Sequence, residues 1–108
     1  MSKPDAYRLL LFVPEADLPE YIDQWDALNK FIPDLQDRGI RVLSLFEDEG
    51  GDDNGEPMTE ADVEKLRRLF RVRAGMSVAV LVDPAGHELA RYPLPVKPVQ
   101  IIHIVDQS

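Results

Sequence analysis

Three short apolar runs predict buried strands. They are Tyr7–Val13, Ile40–Phe46 and Val78–Val82, each rich in Val, Leu, Ile or Phe and bounded by turn-forming or polar residues. The run Val78–Val82 has no polar alternation, so we expect it in the middle of a sheet, covered by helices on both faces. A tight turn at residues 83–86 and a second strand ending at Tyr92 follow it, which predicts a hairpin.

The first helix is predicted to begin between the first two strands, at residues 17–20. Asp17 is expected as its N-cap, with Pro19 in the first turn and Glu20 reaching back as in a capping box. Its apolar face recurs at helical spacing and comprises Tyr21, Ile22, Trp25, Leu28, Ile32 and Leu35. Pro33 removes one backbone donor, so we expect a break at residues 29–32 and a stop at Gly39.

The second helix is predicted to begin after Thr59, which can cap it, with acidic residues in its positive first turn. Its inward face is predicted to comprise Val63, Leu66 and Phe70. The segment 47–57 that precedes it, EDEGGDDNGEP, is predicted to be a mobile loop because it is rich in glycine and like charge. A final segment, residues 99–105, is predicted as either a helix or a strand.

The acidic segment raises the possibility of a Ca²⁺ site, with carboxylates at Glu47, Asp48, Glu49, Asp52, Asp53 and Glu56. The spacing of an EF-hand fails there, because neither Asp48 nor Asp52 as first ligand leaves the later positions correct. A solvated loop is the favoured interpretation.

The order of elements is strand, helix, strand, helix, strand, strand and a last segment of helix or strand. A right-handed crossover would pair the first two strands in parallel, and the third strand would lie antiparallel beside the first. The expected fold is therefore α/β, a three-layer α/β/α arrangement of order βαβαββα around a mixed four-stranded sheet, in a single domain over residues 1–108.

The segments RLLLFVPEADLPEYIDQW, IRVLSLFE and LRRLFRVRAGMSVAVLVDPAGHELARY together resemble the thioredoxin superfamily over nearly the whole chain. More narrowly, the RLLL-F-P strand and the closing segment from Pro98 to Asp106 are similar to the DUF4174 family. That family has no established activity, so the resemblance implies a thioredoxin-like fold and little beyond it.

The departures from thioredoxin bear directly on chemistry. The resemblance places residues 17–20, DLPE, where redox thioredoxins carry C-x-x-C, and it places Met76 where they carry a cis-proline, so we expect a trans bond there. The chain has no cysteine. Disulfide exchange requires an attacking thiolate, so thiol–disulfide and cysteine peroxidase chemistry are excluded.

Two groups of side chains are candidates for a site. Asp17 and Glu20, with Met76, would line the cleft of the thioredoxin active site and could hold a cation or act in acid–base catalysis; capping is the favoured interpretation. A basic cluster comprises Lys65, Arg67, Arg68, Arg71 and Arg73. It could bind an anion or an acidic partner segment, but neutralisation of the protein's own acidic loop is favoured.

Composition limits the partners. The chain has 108 residues and a formal net charge of −8, so nucleic-acid and membrane-surface binding are not expected. His87 and His103 lack metal-ligand spacing, and neither a metal nor a cofactor is expected. The short apolar start of the chain is not a signal sequence, which predicts a cytoplasmic protein.

The functional hypothesis is a non-redox domain that binds a protein partner or assembles with itself. One alternative is a ligand- or metal-dependent enzyme that uses the cleft at the start of the first helix. A third hypothesis is a domain without a ligand of its own that shapes a larger assembly.

Overall fold

A computed structural model describes residues 6–108. The strands are β1 (Tyr7–Val13), β2 (Ile40–Phe46), β3 (Gly50–Asp53), β4 (Glu56–Met58), β5 (Val78–Val82) and β6 (Glu88–Pro93). The helices are α1 (Pro19–Asn29), α2 (Ile32–Asp37), α3 (Glu60–Phe70) and α4 (Pro98–Gln107). The three long apolar runs are therefore strands with the predicted bounds, and the final segment is a helix.

The strands form one mixed sheet in the order β4-β3-β2-β1-β5-β6. β1 pairs in parallel with β2 and antiparallel with β5, as the crossover argument predicts. The prediction of a four-stranded sheet is wrong, because the sheet has six strands. The two additional strands, β3 and β4, come from the segment that was predicted to be a loop.

Alternate residues of the central strands enter two separate cores. One core lies under α1, α2 and α4 and includes Leu9, Leu11, Leu81 and Ile101. The other lies under α3 and includes Leu10, Phe12, Val80, Val63 and Phe70. All five residues of β5 are buried, as expected for a strand covered on both faces.

The acidic segment forms a hairpin rather than a mobile loop. β3 pairs antiparallel with β2, and β4 pairs with β3. Asn54 and Gly55 both have positive φ, 51° and 101°, as a two-residue hairpin turn requires. Gly51 lets β3 approach β2 closely, because a Cβ at this position would lie 2.2 Å from the Ser44 carbonyl oxygen. Ladder hydrogen bonds use the backbone, so the like-charged side chains do not prevent this pairing.

The first helix begins one residue later than predicted. Leu18 is the N-cap of α1 and makes no side-chain cap bond; its carbonyl accepts from the N–H groups of Tyr21 and Ile22. The capping box of Asp17 and Glu20 is therefore absent, since Glu20 is at the second helical position rather than the third. The predicted break between α1 and α2 is confirmed, and Gly39, with φ 68°, ends α2.

α3 has well-defined ends on both sides. Thr59 and Asp62 form a capping box, with the Thr59 hydroxyl 3.1 Å from the Asp62 N–H. At the other end, Val72 N–H donates to Arg67 C=O and Arg71 N–H donates to Arg68 C=O, which is a Schellman motif. Within residues 6–108, no helix is long and apolar enough to cross a membrane.

Candidate functional site

The cleft predicted from the thioredoxin resemblance lies at the start of α1. Glu20 accepts a hydrogen bond of 2.8 Å from the Ser77 hydroxyl instead of capping the helix. Asp17 is exposed and makes no hydrogen bond or ion pair within the described residues. Met76 is 39% exposed, and the peptide before it is trans as expected. The structure thus does not show Asp17 and Glu20 acting together.

The hydrogen bonds of Glu20 fix its charge. Its pKa is lowered from the ordinary 4.5, first by a hydrogen bond from its own backbone N–H and then by the bond from Ser77. A carboxylate held in its ionised form by such donors is a poor proton donor near neutral pH. Its evident role is to hold the segment before β5 against α1.

A second region lies on the other side of the sheet, at the C-terminal half of α3. A cavity of about 360 Å³, here called the arginine cleft, is lined by Glu64, Arg67, Arg68, Arg71, Val72, Arg73 and Ala74. Four arginines and one carboxylate contribute to this lining, so the cleft is strongly cationic although the chain as a whole is acidic. Four of the five predicted cluster residues therefore meet at one cavity. Lys65 does not line it.

Arg67 is the unusual member of this cleft. Its side chain is only 8% exposed, because it projects from the inward face of α3 between Val63 and Phe70. Its Nη2 lies 3.3 Å from Glu47 Oε2, but the geometry is not that of a hydrogen bond. The buried Nε and Nη2 have no hydrogen-bond partner within the described residues. A buried guanidinium is normally paired and fully bonded, so this arrangement is costly to the fold.

Glu47 links Arg67 to the segment that follows α3. Its Oε2 accepts a hydrogen bond of 2.6 Å from Gly75 N–H in addition to the ion pair with Arg67. The carboxylate therefore contacts two partners at once, the Gly75 N–H through a hydrogen bond and the Arg67 guanidinium through an ion pair. On the helix surface, Arg68 pairs with Glu64 at 3.2 Å. Arg67 and Arg68 thus pair with Glu47 and Glu64, whereas Lys65, Arg71 and Arg73 make no ion pair within the described residues.

The backbone at the rim of the arginine cleft is strained. Arg71 has φ 54° and ψ 48°, the left-handed conformation that glycine usually provides in a Schellman motif. A non-glycine residue in this conformation costs about 1–2 kcal/mol. Three non-glycine residues of the described chain have positive φ: Arg71, Asp48 and Asn54, the last in a hairpin turn. Strain retained at a cavity is a recurrent property of functional sites.

The sequence did not reveal the burial of Arg67 or its contact with Glu47. The available signal was the spacing from Val63, because residues four apart share a helix face. His87 lies 3.6 Å from Asp83 at the β5–β6 turn, and His103 is exposed on α4. No group of three or more His, Cys, Asp or Glu side chains in the described part of the chain is placed to hold a metal ion.

The fold is shared with solved proteins of low sequence identity. A reduced 2-Cys peroxiredoxin of Plasmodium vivax aligns with a TM-score of 0.70 and 18% identity, over 94% of this chain and 76% of its own. The bacterioferritin comigratory protein of Xanthomonas campestris aligns at 0.67 and 13% identity, over 95% and 78%. Thioredoxin-2 of a malaria parasite aligns at 0.62 and 16% identity, over 99% and 87%.

These similarities, with the sheet order, show that this chain has a thioredoxin-like α/β fold. No curated protein matches the sequence. The model of DUF4174, a domain of unknown function, matches residues 5–108, and the chain belongs to that family.

Proposed function

We propose that this domain is a non-redox binding module whose arginine cleft takes carboxylate side chains from an acidic segment of a protein partner. The observation that carries the proposal is the buried guanidinium of Arg67, which lines the cleft and has two nitrogen atoms without hydrogen-bond partners. Each buried unsatisfied polar group costs about 1–3 kcal/mol, and more when charged. A ligand that binds this guanidinium would offset that cost.

Carboxylates suit the cleft in both geometry and charge. A guanidinium presents a planar fork of donors that matches a carboxylate through two parallel hydrogen bonds. Arg71 and Arg73 add two exposed cationic groups with no ion pair in the described structure, so an acidic segment would meet several arginines at once. The formal net charge of −8 opposes long polyanions such as nucleic acids, whereas a short segment meets mainly the local cationic field.

The enzymatic alternative has less support. The chain carries no cysteine for thiolate chemistry, and the carboxylate of Glu20 is already bonded to Ser77. No described contact joins Glu20 to Asp17 as an acid–base pair would require. If the acidic segment belongs to a second copy of the chain, the same cleft would serve self-assembly, which sedimentation of the purified chain would detect.

Calorimetric titration tests the proposal. The probe is a blocked pentapeptide of glutamates, with the glutamine pentapeptide and inorganic phosphate as comparisons, all at low salt. We expect binding of the glutamate peptide only, weakened by added salt. The variants Arg67→Met and Arg73→Ser should each lower affinity about tenfold or more, since a hydrogen bond to a charged group contributes about 1.5–3 kcal/mol.

Lys30→Gln is the matched control, because it removes the same charge at the end of α1 on the opposite face of the sheet. It should leave affinity within about twofold, since exposed charges farther apart than a Debye length of about 10 Å are largely screened. Equal losses in the lysine and arginine variants would mean that only overall charge matters. Absence of any glutamate-dependent heat would refute the proposed function.

A further inference from the structure

A second cavity adjoins the arginine cleft and has the opposite charge. It has a volume of about 600 Å³, and we call it the acidic cleft. Its lining comprises Phe46, Glu47, Asp48, Glu60, Ala61, Val63, Glu64, Arg67, Arg68 and Ala74. Four carboxylates outnumber two arginines in this lining. Glu64, Arg67, Arg68 and Ala74 line both cavities, so the two clefts share a wall.

The four carboxylates of the acidic cleft are not equivalent. Glu47 contacts Arg67 and Gly75, and Glu64 pairs with Arg68. Asp48 and Glu60 make no ion pair or side-chain hydrogen bond within residues 6–108, and both are exposed. The uncompensated negative charge of the cleft is therefore concentrated on these two residues.

Asp48 in the acidic cleft and Arg71 in the arginine cleft share an unusual backbone conformation. The φ of Asp48, 60°, is left-handed, like that of Arg71. The two strained non-glycine residues outside the hairpin turn thus line the two neighbouring cavities, one in each. Arg67, whose buried Nε and Nη2 lack hydrogen-bond partners, lines both. A ligand that contacts Arg67 from the arginine cleft therefore lies at the boundary with the acidic cleft.

We infer that the partner segment is bipolar, with an acidic side chain in the arginine cleft and a basic side chain in the acidic cleft. This inference rests on the proposed function. A lysine-like side chain suits the second cavity because its ammonium can lie near Asp48 and Glu60 while its aliphatic stem lies along Phe46 and Ala61. Both volumes are within the range of about 300–1,000 Å³ that is typical of ligand pockets.

The two charged side chains of the segment must reach two neighbouring cavities at once. The two cavities lie side by side along α3, the acidic cleft reaching Glu60 at its start and the arginine cleft reaching Arg71 at its end. A bound segment with acidic and basic residues a few positions apart can satisfy both cavities at once. A segment of one charge sign satisfies one cavity and is repelled by the other.

Calorimetry with blocked pentapeptides tests the inference. One peptide carries glutamate and lysine at its second and fourth positions, and two others replace either the lysine or the glutamate by glutamine. For the wild-type chain, we expect the lysine to increase affinity about tenfold over the peptide that has glutamate alone. The double variant Asp48→Asn with Glu60→Gln should abolish this increase and retain the binding that depends on glutamate.

The control for net charge is the double variant Asp23→Asn with Asp26→Asn, on exposed positions of α1 across the sheet. It should retain the tenfold effect of lysine. If glutamate contributes but lysine adds nothing to wild-type affinity, the bipolar inference is wrong while the proposed function stands. If both control and test variants lose the lysine effect equally, the acidic cleft is not the site and the inference is also wrong. If glutamate contributes nothing, both proposals fail.

Discussion

Replacing Arg71 by glycine should make the domain more stable and a poorer ligand binder. Arg71 occupies the left-handed position of the Schellman motif that ends α3, with φ 54° and ψ 48°. Glycine adopts this conformation without steric cost, and it is the usual residue there. The side chain that glycine would remove lines the arginine cleft. Stability and binding are therefore expected to change in opposite directions.

The expected change in the free energy of unfolding is the difference between two opposing effects of the substitution. A left-handed non-glycine residue costs about 1–2 kcal/mol. Glycine loses more conformational freedom on folding than arginine, which lowers the free energy of unfolding by roughly 0.5–1 kcal/mol. The net gain in free energy of unfolding for Arg71→Gly should lie in the range of about 0–1.5 kcal/mol, with a central value of about 0.8 kcal/mol. For a domain of this size, that corresponds to a rise in melting temperature of about 2–4 °C.

The assay is thermal unfolding followed by circular dichroism, with Arg73→Gly as the matched control. Arg73 lies two residues away, has the same charge, and is not in the left-handed region. Its replacement by glycine should lower the melting temperature, and both variants should bind the glutamate pentapeptide about tenfold more weakly. If Arg71→Gly melts no higher than the wild type, the strain at this position does not exist as described.

Three other predictions test the fold around the site. Gln24 is fully buried, and its amide forms hydrogen bonds with both the N–H and the C=O of Val96, at 2.7 and 2.9 Å. Gln24→Ala should lower the free energy of unfolding in urea by about 3 kcal/mol, because each backbone group left without a partner costs about 1–3 kcal/mol. A loss below about 1 kcal/mol would contradict this. Gly51→Ala places a Cβ 2.2 Å from a β2 carbonyl oxygen. Amide hydrogen exchange of residues 50–58 should therefore accelerate by about tenfold or more, while β1 and β5 stay protected. Unchanged exchange would refute the close approach of β3 to β2. The pKa of Asp106 is lowered from 3.8, mainly by the hydrogen bond from Arg38. The unfolded chain therefore takes up this proton at higher pH, and the stabilisation present above about pH 4 is lost as the pH falls through the lowered native pKa. Asp106→Asn should flatten the acid-side fall in urea midpoint, and an unchanged fall would contradict the assignment.

The central part of the fold was predictable because its signal is local. Short runs of Val and Leu without polar alternation favour buried strands, and β1, β2 and β5 appear where these runs occur. Thr59 identified the start of α3 for the same reason, since a cap depends on neighbouring residues. The resemblance to the thioredoxin superfamily then placed these elements in one sheet.

The missed features depend on contacts between distant residues. The β3–β4 hairpin was mistaken for a loop because its acidic side chains outweighed the signal of Asn54 and Gly55, the dipeptide most typical of a tight hairpin. Nothing in the local sequence distinguishes Gln24 from other polar helix residues, because its hydrogen-bond partner Val96 lies 72 positions away. The sequence predicts the arginines as a cluster, but the burial of Arg67 depends on the sheet beneath α3, and only the spacing from Val63 indicates it.

The most direct measurement of the central claim is an NMR titration that observes arginine side chains. In a chain labelled with ¹⁵N-arginine, the Nε–Hε signal of Arg67, assigned by its loss in Arg67→Met, should be resolved from those of the exposed arginines because of its burial. On addition of the glutamate pentapeptide, this signal should shift saturably, while that of Arg8 on β1 does not move. A Nε–Hε signal of Arg67 that stays in place throughout the titration would contradict the account.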